Sequence, residues 1–162
     1  MAKKSTGARA LVDALLREKV QHVFGIPGTQ NLAILDELRA TPEIRFILTR
    51  HEQGAAFMAY GYARASGKPG IVTATEGPGV TNLATGIAAA NRGNVPVISI
   101  CGVQESVVRE RDSTQDMDQV TFMKPMTKWA YSIPNVEKVQ ELVRKAFRVA
   151  LTEPQGPTHI EA

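Results

Sequence analysis

The chain has 162 residues, of which 43% are hydrophobic and 22% are charged, and its formal net charge is +3. This balance is typical of one globular domain with a buried core, and no Lys/Arg run interleaved with aromatic residues points to a nucleic-acid partner. No apolar stretch approaches the roughly 18 residues of a membrane span, so no membrane partner is expected. Cys101 is the single cysteine, which excludes an internal disulfide and favours a cytoplasmic protein with a buried, inert thiol.

Strand and helix patterns alternate along the whole chain. Helices are predicted over 6–19, 31–40, 52–66, 80–91 and 136–151, the first capped by Ser5 or Thr6 and the third closed by Gly67. Strands are predicted over 20–25, 44–49, 70–75, 95–101, 127–133 and 158–161. The segment 102–119 has no clear period and is rich in charge, which indicates a surface loop.

Regular alternation of strands and helices predicts an α/β fold, with a mostly parallel, doubly wound sheet of about five or six strands and helices on both faces. In such sheets, ligands bind at the carboxyl ends of the strands, in the turns that lead to helices. Those turns are 25–29, 50–53, 75–79 and the chain from 102 onward. Glycine, proline and one acid cluster there, which predicts a site without identifying its ligand: Pro27, Gly28, Glu52, Gly77, Pro78 and Gly79.

Several common site motifs are incomplete in this chain. The run Gly77-x-Gly79-x-x-Asn82 lacks the third glycine of a dinucleotide fingerprint, which argues against a simple nucleotide-binding protein. His51 precedes Glu52 as in a zinc-protease helix, but Ala55 stands where the second histidine would be, so no metal ligand is predicted.

Glu52 permits two interpretations. The first is structural: an acid in the first turn of a helix is stabilised by the helix dipole and needs no further function. The second is functional, because Glu52 lies in one of the turns that form the predicted site.

The helix that Glu52 opens carries an unusual number of small residues, as does the helix over 80–91. Such smooth helices pack tightly on a sheet or form a subunit interface. We therefore expect arginine at Ala59 or Ala89 to disrupt assembly if these positions face a partner, and to unfold the domain if they face the sheet.

Six short segments together resemble one known family over nearly the whole chain. They are GIPG at 25–28, RHEQGAA at 50–56, GPGVTN at 77–82, TQDMDQ at 114–119, TKW at 127–129 and GPTHIE at 156–161. The chain resembles the pyrimidine-binding, N-terminal domain of thiamine-diphosphate-dependent enzymes of the acetolactate synthase and 2-keto acid decarboxylase family.

The resemblance implies a role for each matching residue. Glu52 would donate to N1′ of the cofactor's aminopyrimidine and so activate the cofactor. Gln115 would be the second catalytic residue and, with Thr29, would face the substrate. Besides Glu52, the cofactor-binding residues would be Pro27, Gly28, Thr75, Gly77, Pro78 and Asn82. Two positions depart from the family pattern: Asp116 replaces a common Glu, and Glu76 replaces a common Ser.

The family holds the cofactor's diphosphate and Mg²⁺ on a second domain, through a Gly-Asp-Gly segment that this chain lacks. Residues 1–162 are therefore interpreted as a single pyrimidine-binding domain, either the N-terminal part of a longer enzyme or a separate subunit, and inactive alone. The expected partners are a 2-keto acid, a diphosphate-binding domain in the same chain or another subunit, and further copies in a homodimer or tetramer.

The function implied by the resemblance is acetolactate synthase-like decarboxylation and carboligation, as in branched-chain amino acid biosynthesis. Two alternatives stay open. One is a simple 2-keto acid decarboxylase subunit, and the other is a non-catalytic interaction module that retains the fold.

Overall fold

One six-stranded, fully parallel sheet forms the centre of the computed structural model, which describes residues 6–104 and 114–162. The spatial order of its strands is β2-β1-β3-β4-β6-β5. The predicted α/β class with a parallel sheet is confirmed. The strands are β1 (His22–Gly25), β2 (Arg45–Leu48), β3 (Gly70–Ala74), β4 (Val97–Cys101), β5 (Trp129–Ser132) and β6 (Thr158–Glu161).

The helices follow the predicted order, with one addition. Thr6 caps the first by accepting a hydrogen bond from the Arg9 N–H, and the third has the predicted bounds and ends at Gly67 with φ 70°. The fourth begins at Pro78, two residues before its predicted start, because proline suits the first helical position. The helices are α1 (Gly7–Arg17), α2 (Leu32–Arg39), α3 (Glu52–Ser66), α4 (Pro78–Arg92), α5 (Gln119–Met123) and α6 (Val139–Leu151).

Two hydrophobic cores lie on opposite faces of the sheet. Helices α1, α2 and α6 cover one face, and α3, α4 and α5 cover the other. Successive side chains of β4 point to opposite faces of the sheet. Ile98 and Ile100 belong to the core under α1, α2 and α6, and Val97 and Cys101 belong to the core under α3, α4 and α5. The prediction of helices on both faces is confirmed.

The predicted surface loop over 102–119 is wrong at both described ends. Gly102 is buried, and Gln119 begins α5 with only 1% of its surface exposed. Positions 105–113 lie outside the described residues. A helix of five residues is too short to show a hydrophobic period, and the burial of Gln119 depends on partners far away in sequence.

Cys101 is fully buried, as predicted. Burial, together with the nearby charges of Glu161 and Glu52, raises the pKa of its thiol to about 12. The thiolate is therefore not formed near neutral pH, and the residue serves the core. No helix among the described residues is long and apolar enough to cross a membrane.

Ala59 faces the sheet and not a partner. It is fully buried, and a Cβ on Gly70 of β3 would lie 2.1 Å from the Ala59 carbonyl oxygen. The outward face of α3 instead carries Phe57, Met58 and Gly61, and a Cβ on Gly61 would have open space around it.

This difference predicts opposite effects of arginine on the two faces of α3. Ala59→Arg should unfold the domain, because it buries a charge without a partner at a cost of several kcal/mol. Gly61→Arg should keep the fold and raise the free energy of unfolding by about 1 kcal/mol, since glycine is a poor helix former. Thermal melts followed by circular dichroism test both variants. Equal melting temperatures would contradict this orientation of α3.

A buried histidine connects two neighbouring strands of the sheet through its side chain. His159 of β6 is fully buried, and its Nδ1 lies 2.9 Å from the Ser99 hydroxyl of β4. Its Nε2 has no hydrogen-bond partner among residues 6–104 and 114–162. Burial lowers its pKa from 6.5 to about 3, so the ring is neutral in the folded chain near neutral pH.

The lowered pKa of His159 predicts acid sensitivity. As the pH falls below 6.5, the unfolded chain binds a proton that the folded chain does not, and stability is lost down to about pH 3. Between pH 7.5 and 5, this histidine alone should remove about 2 kcal/mol from the free energy of unfolding.

Urea unfolding at pH 7.5 and pH 5 measures this loss. His159→Leu should lose less stability over this interval than the wild type, whereas Ser99→Ala, which keeps the histidine, should lose about as much. If His159→Leu and the wild type lost equal stability, another group would have to account for the acid sensitivity.

Candidate functional site

The site lies where the strand order reverses. From β1 the chain proceeds to β2 on one side, and from β3 it proceeds to β4 on the other, so the carboxyl ends of β1 and β3 flank a crevice. The loops after these strands meet there. A Cβ on Gly28 would lie 2.4 Å from the Thr75 Cβ, and the Thr75 hydroxyl donates to the Gln30 Oε1 at 2.5 Å. Gly28 and Thr75 therefore lie in direct contact.

Glu52 opens α3 beside this crevice. His51 caps the helix, because its Nδ1 accepts a hydrogen bond of 3.1 Å from the Gln53 N–H. The Glu52 side chain is half-buried, and its Oε2 accepts a hydrogen bond of 3.0 Å from the Asn82 amide. Its Oε1 has no hydrogen-bond partner within the described ranges. One oxygen is thus oriented by the protein, and the other remains available.

Close packing of α3 on α4 brings Glu52 and Asn82 together. Gly86 of α4 lies against Ala56 of α3, where an added Cβ would come within 2.4 Å of the Ala56 Cβ. Asn82 lies four residues before Gly86, and Glu52 lies four residues before Ala56. At this level the Asn82 amide donates to the Glu52 carboxylate. A Cβ on Gly79 would lie 3.6 Å from the free Glu52 Oε1, so the glycine leaves room beside that oxygen.

The turn between β3 and α4 depends on Gly77. This residue has φ 61° and ψ −107°, in a region that side chains disfavour. An added Cβ would also lie 2.3 Å from the Gln115 carbonyl oxygen, so the segment with Gln115 packs directly against the turn. Pro78 follows as the first residue of α4 and is exposed. Two further predicted residues, Gln115 and Pro78, thus flank Gly77.

The remaining predicted site residues enter none of these contacts. Thr29 is exposed and begins a short 3-10 helix, Thr29–Asn31. Pro27 lines a groove of about 540 Å³ together with side chains such as Leu35 and Phe46. The structure therefore joins Gly28 to Thr75, Glu52 to Asn82 and Gly77 to Gln115. The functional roles of all the predicted site residues stay predictions.

Three buried residues at this edge were missed from the sequence. Asn31 shapes the first loop, accepting from the Gly28 N–H at 2.8 Å and donating to the Ile26 carbonyl at 3.1 Å. Gln119 and Glu161 bond to each other, because the Gln119 Nε2 donates to the Glu161 Oε2 at 2.9 Å. The sequence carries one signal for the helix that begins at Gln119, because aspartate is a favourable helix cap. The Asp118 side chain accepts a hydrogen bond from the Thr121 N–H.

The Glu52 carboxylate leaves one oxygen open to a ligand. No group of three potential metal ligands occurs in the described part of the chain. The free carboxylate oxygen of Glu52, with a glycine beside it, can bond a ring nitrogen at the mouth of the crevice. A pyrimidine ring nitrogen is one group that this free oxygen can bond.

The strand order and the crevice at the reversal point define a parallel α/β domain of the class that binds ligands in its carboxyl-end loops. Residues 5–122 match the family described as the thiamine pyrophosphate enzyme, N-terminal TPP binding domain. This match covers more than half of the chain, and the chain belongs to that family.

Curated relatives agree with this assignment. The chain is 43% identical to an acetolactate synthase of Arthrospira platensis over 98% of this chain and 28% of that protein. It is 40% identical to an acetolactate synthase of Bacillus subtilis (strain 168) over 97% and 27%, respectively. It is 42% identical to a probable acetolactate synthase large subunit of Methanocaldococcus jannaschii over 96% and 26%. The chain thus spans about a quarter of the length of the relatives it matches.

Proposed function

We propose that this chain supplies the pyrimidine-binding half of the active site in an acetolactate synthase-like enzyme. The enzyme would decarboxylate a 2-keto acid and join the remaining fragment to an acceptor. The observation that carries this proposal is the Glu52 carboxylate, which one helix presents and a second helix orients through Asn82 at 3.0 Å. Family membership and relatives named as acetolactate synthases support the reaction class.

Glu52 would share a proton with N1′ of the aminopyrimidine through its free Oε1. Asn82 would keep the carboxylate turned toward the ring, because its amide holds the other oxygen. When bound, thiamine diphosphate supplies the electron sink that decarboxylation needs. The protein's part is to orient the ring and to move a proton at one defined atom.

The alternative role for Glu52, favourable interaction with the helix dipole alone, does not account for its surroundings. A carboxylate at an exposed helix start needs no partner from another helix. Here Asn82 lies 30 positions away in sequence and reaches the carboxylate because α3 and α4 pack at Gly86. This convergence favours a functional site over a non-catalytic module that merely retains the fold.

The other predicted residues would surround the ring and the substrate. Gln115 would face the reacting carbon as the second catalytic residue, and Thr29 would contact the substrate. The remaining five would line the cofactor pocket: Pro27, Gly28, Thr75, Gly77 and Pro78. The contacts of Gly28 with Thr75 and of Gly77 with Gln115 support this grouping.

The diphosphate and Mg²⁺ would be held by a second domain, in the same chain or in another subunit. Support comes from the share of the relatives that this chain spans, about a quarter of their length. We further propose a cytoplasmic homo-oligomer, with the exposed side of α3 around Phe57 and Met58 as the contact surface.

The proposal predicts that Glu52→Gln abolishes most turnover in the complete enzyme. Glutamine keeps the size of the side chain and its bond to Asn82 but cannot share the proton, so kcat should fall about 100-fold to 10,000-fold. Glu43→Gln, the same change at an exposed site before β2, is the matched control and should leave kcat unchanged. Turnover of Glu52→Gln within about threefold of wild type would remove Glu52 from the mechanism.

A second prediction concerns the chain by itself. If a second domain holds the diphosphate and Mg²⁺ as proposed, the pyrimidine contacts alone should bind thiamine diphosphate weakly, with a dissociation constant of roughly millimolar or above. Isothermal titration calorimetry with Mg²⁺ present measures this affinity. A submicromolar dissociation constant would show that this chain holds the whole cofactor.

A further inference from the structure

A buried amide connects three chain segments behind the site. Gln119 accepts a hydrogen bond of 3.2 Å from the Gly77 N–H through its Oε1. Its Nε2 donates to the Gly102 carbonyl at 3.2 Å and to the Glu161 Oε2 at 2.9 Å. The reverse orientation of the amide would place its N–H groups against the Gly77 N–H and its oxygen against two acceptors. The three partners therefore determine the orientation of Gln119.

The three hydrogen-bond partners of Gln119 lie at the carboxyl ends of three neighbouring strands. Gly77 forms the turn after β3, Gly102 follows β4, and Glu161 ends β6. Gln119 begins α5, four residues after Gln115, whose carbonyl oxygen packs against Gly77. Gln119 thus attaches the segment that carries Gln115 to the turn that starts α4.

We infer that Gln119, held in place by Glu161, is a positioning residue for the pyrimidine site. It fixes the Gly77 peptide, which sets the start of α4 and so the place of Asn82 against Glu52. The inference rests on the proposed function. Neither side chain needs to touch the cofactor, because both act through the turn.

A purely stabilising role explains the arrangement less well. A buried hydrogen bond contributes only about 1 kcal/mol between neutral groups and somewhat more to a carboxylate such as that of Glu161. The Gly77 N–H, however, is buried in a turn and needs an acceptor. A fully bonded polar network also selects one geometry of the groups that it joins.

Hydrogen–deuterium exchange of the complete enzyme without cofactor tests the positioning. In Gln119→Leu, the peptide that contains Gly77 should exchange about tenfold faster, because the Gly77 N–H loses its acceptor. Ser99→Ala is the matched control, since it removes a buried hydroxyl of β4 that bonds His159 and does not contact the turn. It should leave exchange at Gly77 unchanged.

A double-variant cycle tests the contribution of Glu161. Gln119→Glu keeps an acceptor for Gly77 but sets two carboxylates against each other. Glu161→Gln in the same chain restores a donor between them, so the double variant should recover most of the function lost in Gln119→Glu. This comparison stays informative if Gln119→Leu fails to fold.

Steady-state kinetics give the functional result. Gln119→Glu should raise the KM for thiamine diphosphate and lower kcat, each by about tenfold, while Ser99→Ala lowers the melting temperature without changing KM. Wild-type exchange at Gly77 in Gln119→Leu, or a double variant no better than Gln119→Glu, would overturn the inference. If Glu52→Gln stays active, the proposed function fails separately, and exchange at Gly77 still tests the positioning.

Discussion

The close approach of α3 and α4 is the contact on which the site depends. Without a side chain at Gly86, the α4 backbone can lie against Ala56, and the first turns of the two helices then converge. Their convergence places the Asn82 amide 3.0 Å from the Glu52 carboxylate. Because the two helices follow strands β2 and β3, the parallel sheet holds their N-termini at one edge. A larger residue at position 86 would separate the helices and leave Glu52 as an ordinary charged residue at a helix start.

The small residues of α3 serve this packing. Ala55, Ala56, Ala59 and Ala63 are all buried against the sheet and α4, so the smooth face of the helix points inward. The sequence pattern showed that something must approach this helix closely but not from which side. The orientation of α3 is shown by the backbone of Gly70 in β3, which lies against Ala59. A composition rich in alanine and glycine therefore predicts close packing and leaves the partner open.

Much of the fold could be predicted from local patterns. Alternating elements, the bounds of α3 and its closing glycine all follow from short-range rules about periodicity and caps. The start of α4 was predicted too late because Pro78 looks like part of a turn, although proline is favoured at a helix start. Helix α5 is too short for a period, and only the cap at Asp118 marks it. These differences are local and leave the topology unchanged.

The candidate site was predictable in part. Turn residues at the strand ends located Glu52, Gly77 and their neighbours, since a parallel sheet gathers such turns at one edge. Buried polar residues were not predictable, because their hydrogen-bond partners lie far along the chain. Gln119, for example, bonds Gly77 across 42 positions and lies in a segment whose charge suggests exposure. Hydrogen bonds between buried polar residues that are far apart in the chain produce no local pattern by which a single sequence could predict them.

A crystal structure of the complete enzyme with thiamine diphosphate tests the central claim most directly. The measured quantity is the distance from the Glu52 carboxylate to N1′ of the aminopyrimidine. We expect Oε1 to lie within hydrogen-bonding distance, about 2.6–3.0 Å, while Oε2 keeps its bond to Asn82. A pyrimidine bound elsewhere, with Glu52 bonded only to Asn82, would contradict this account of the site.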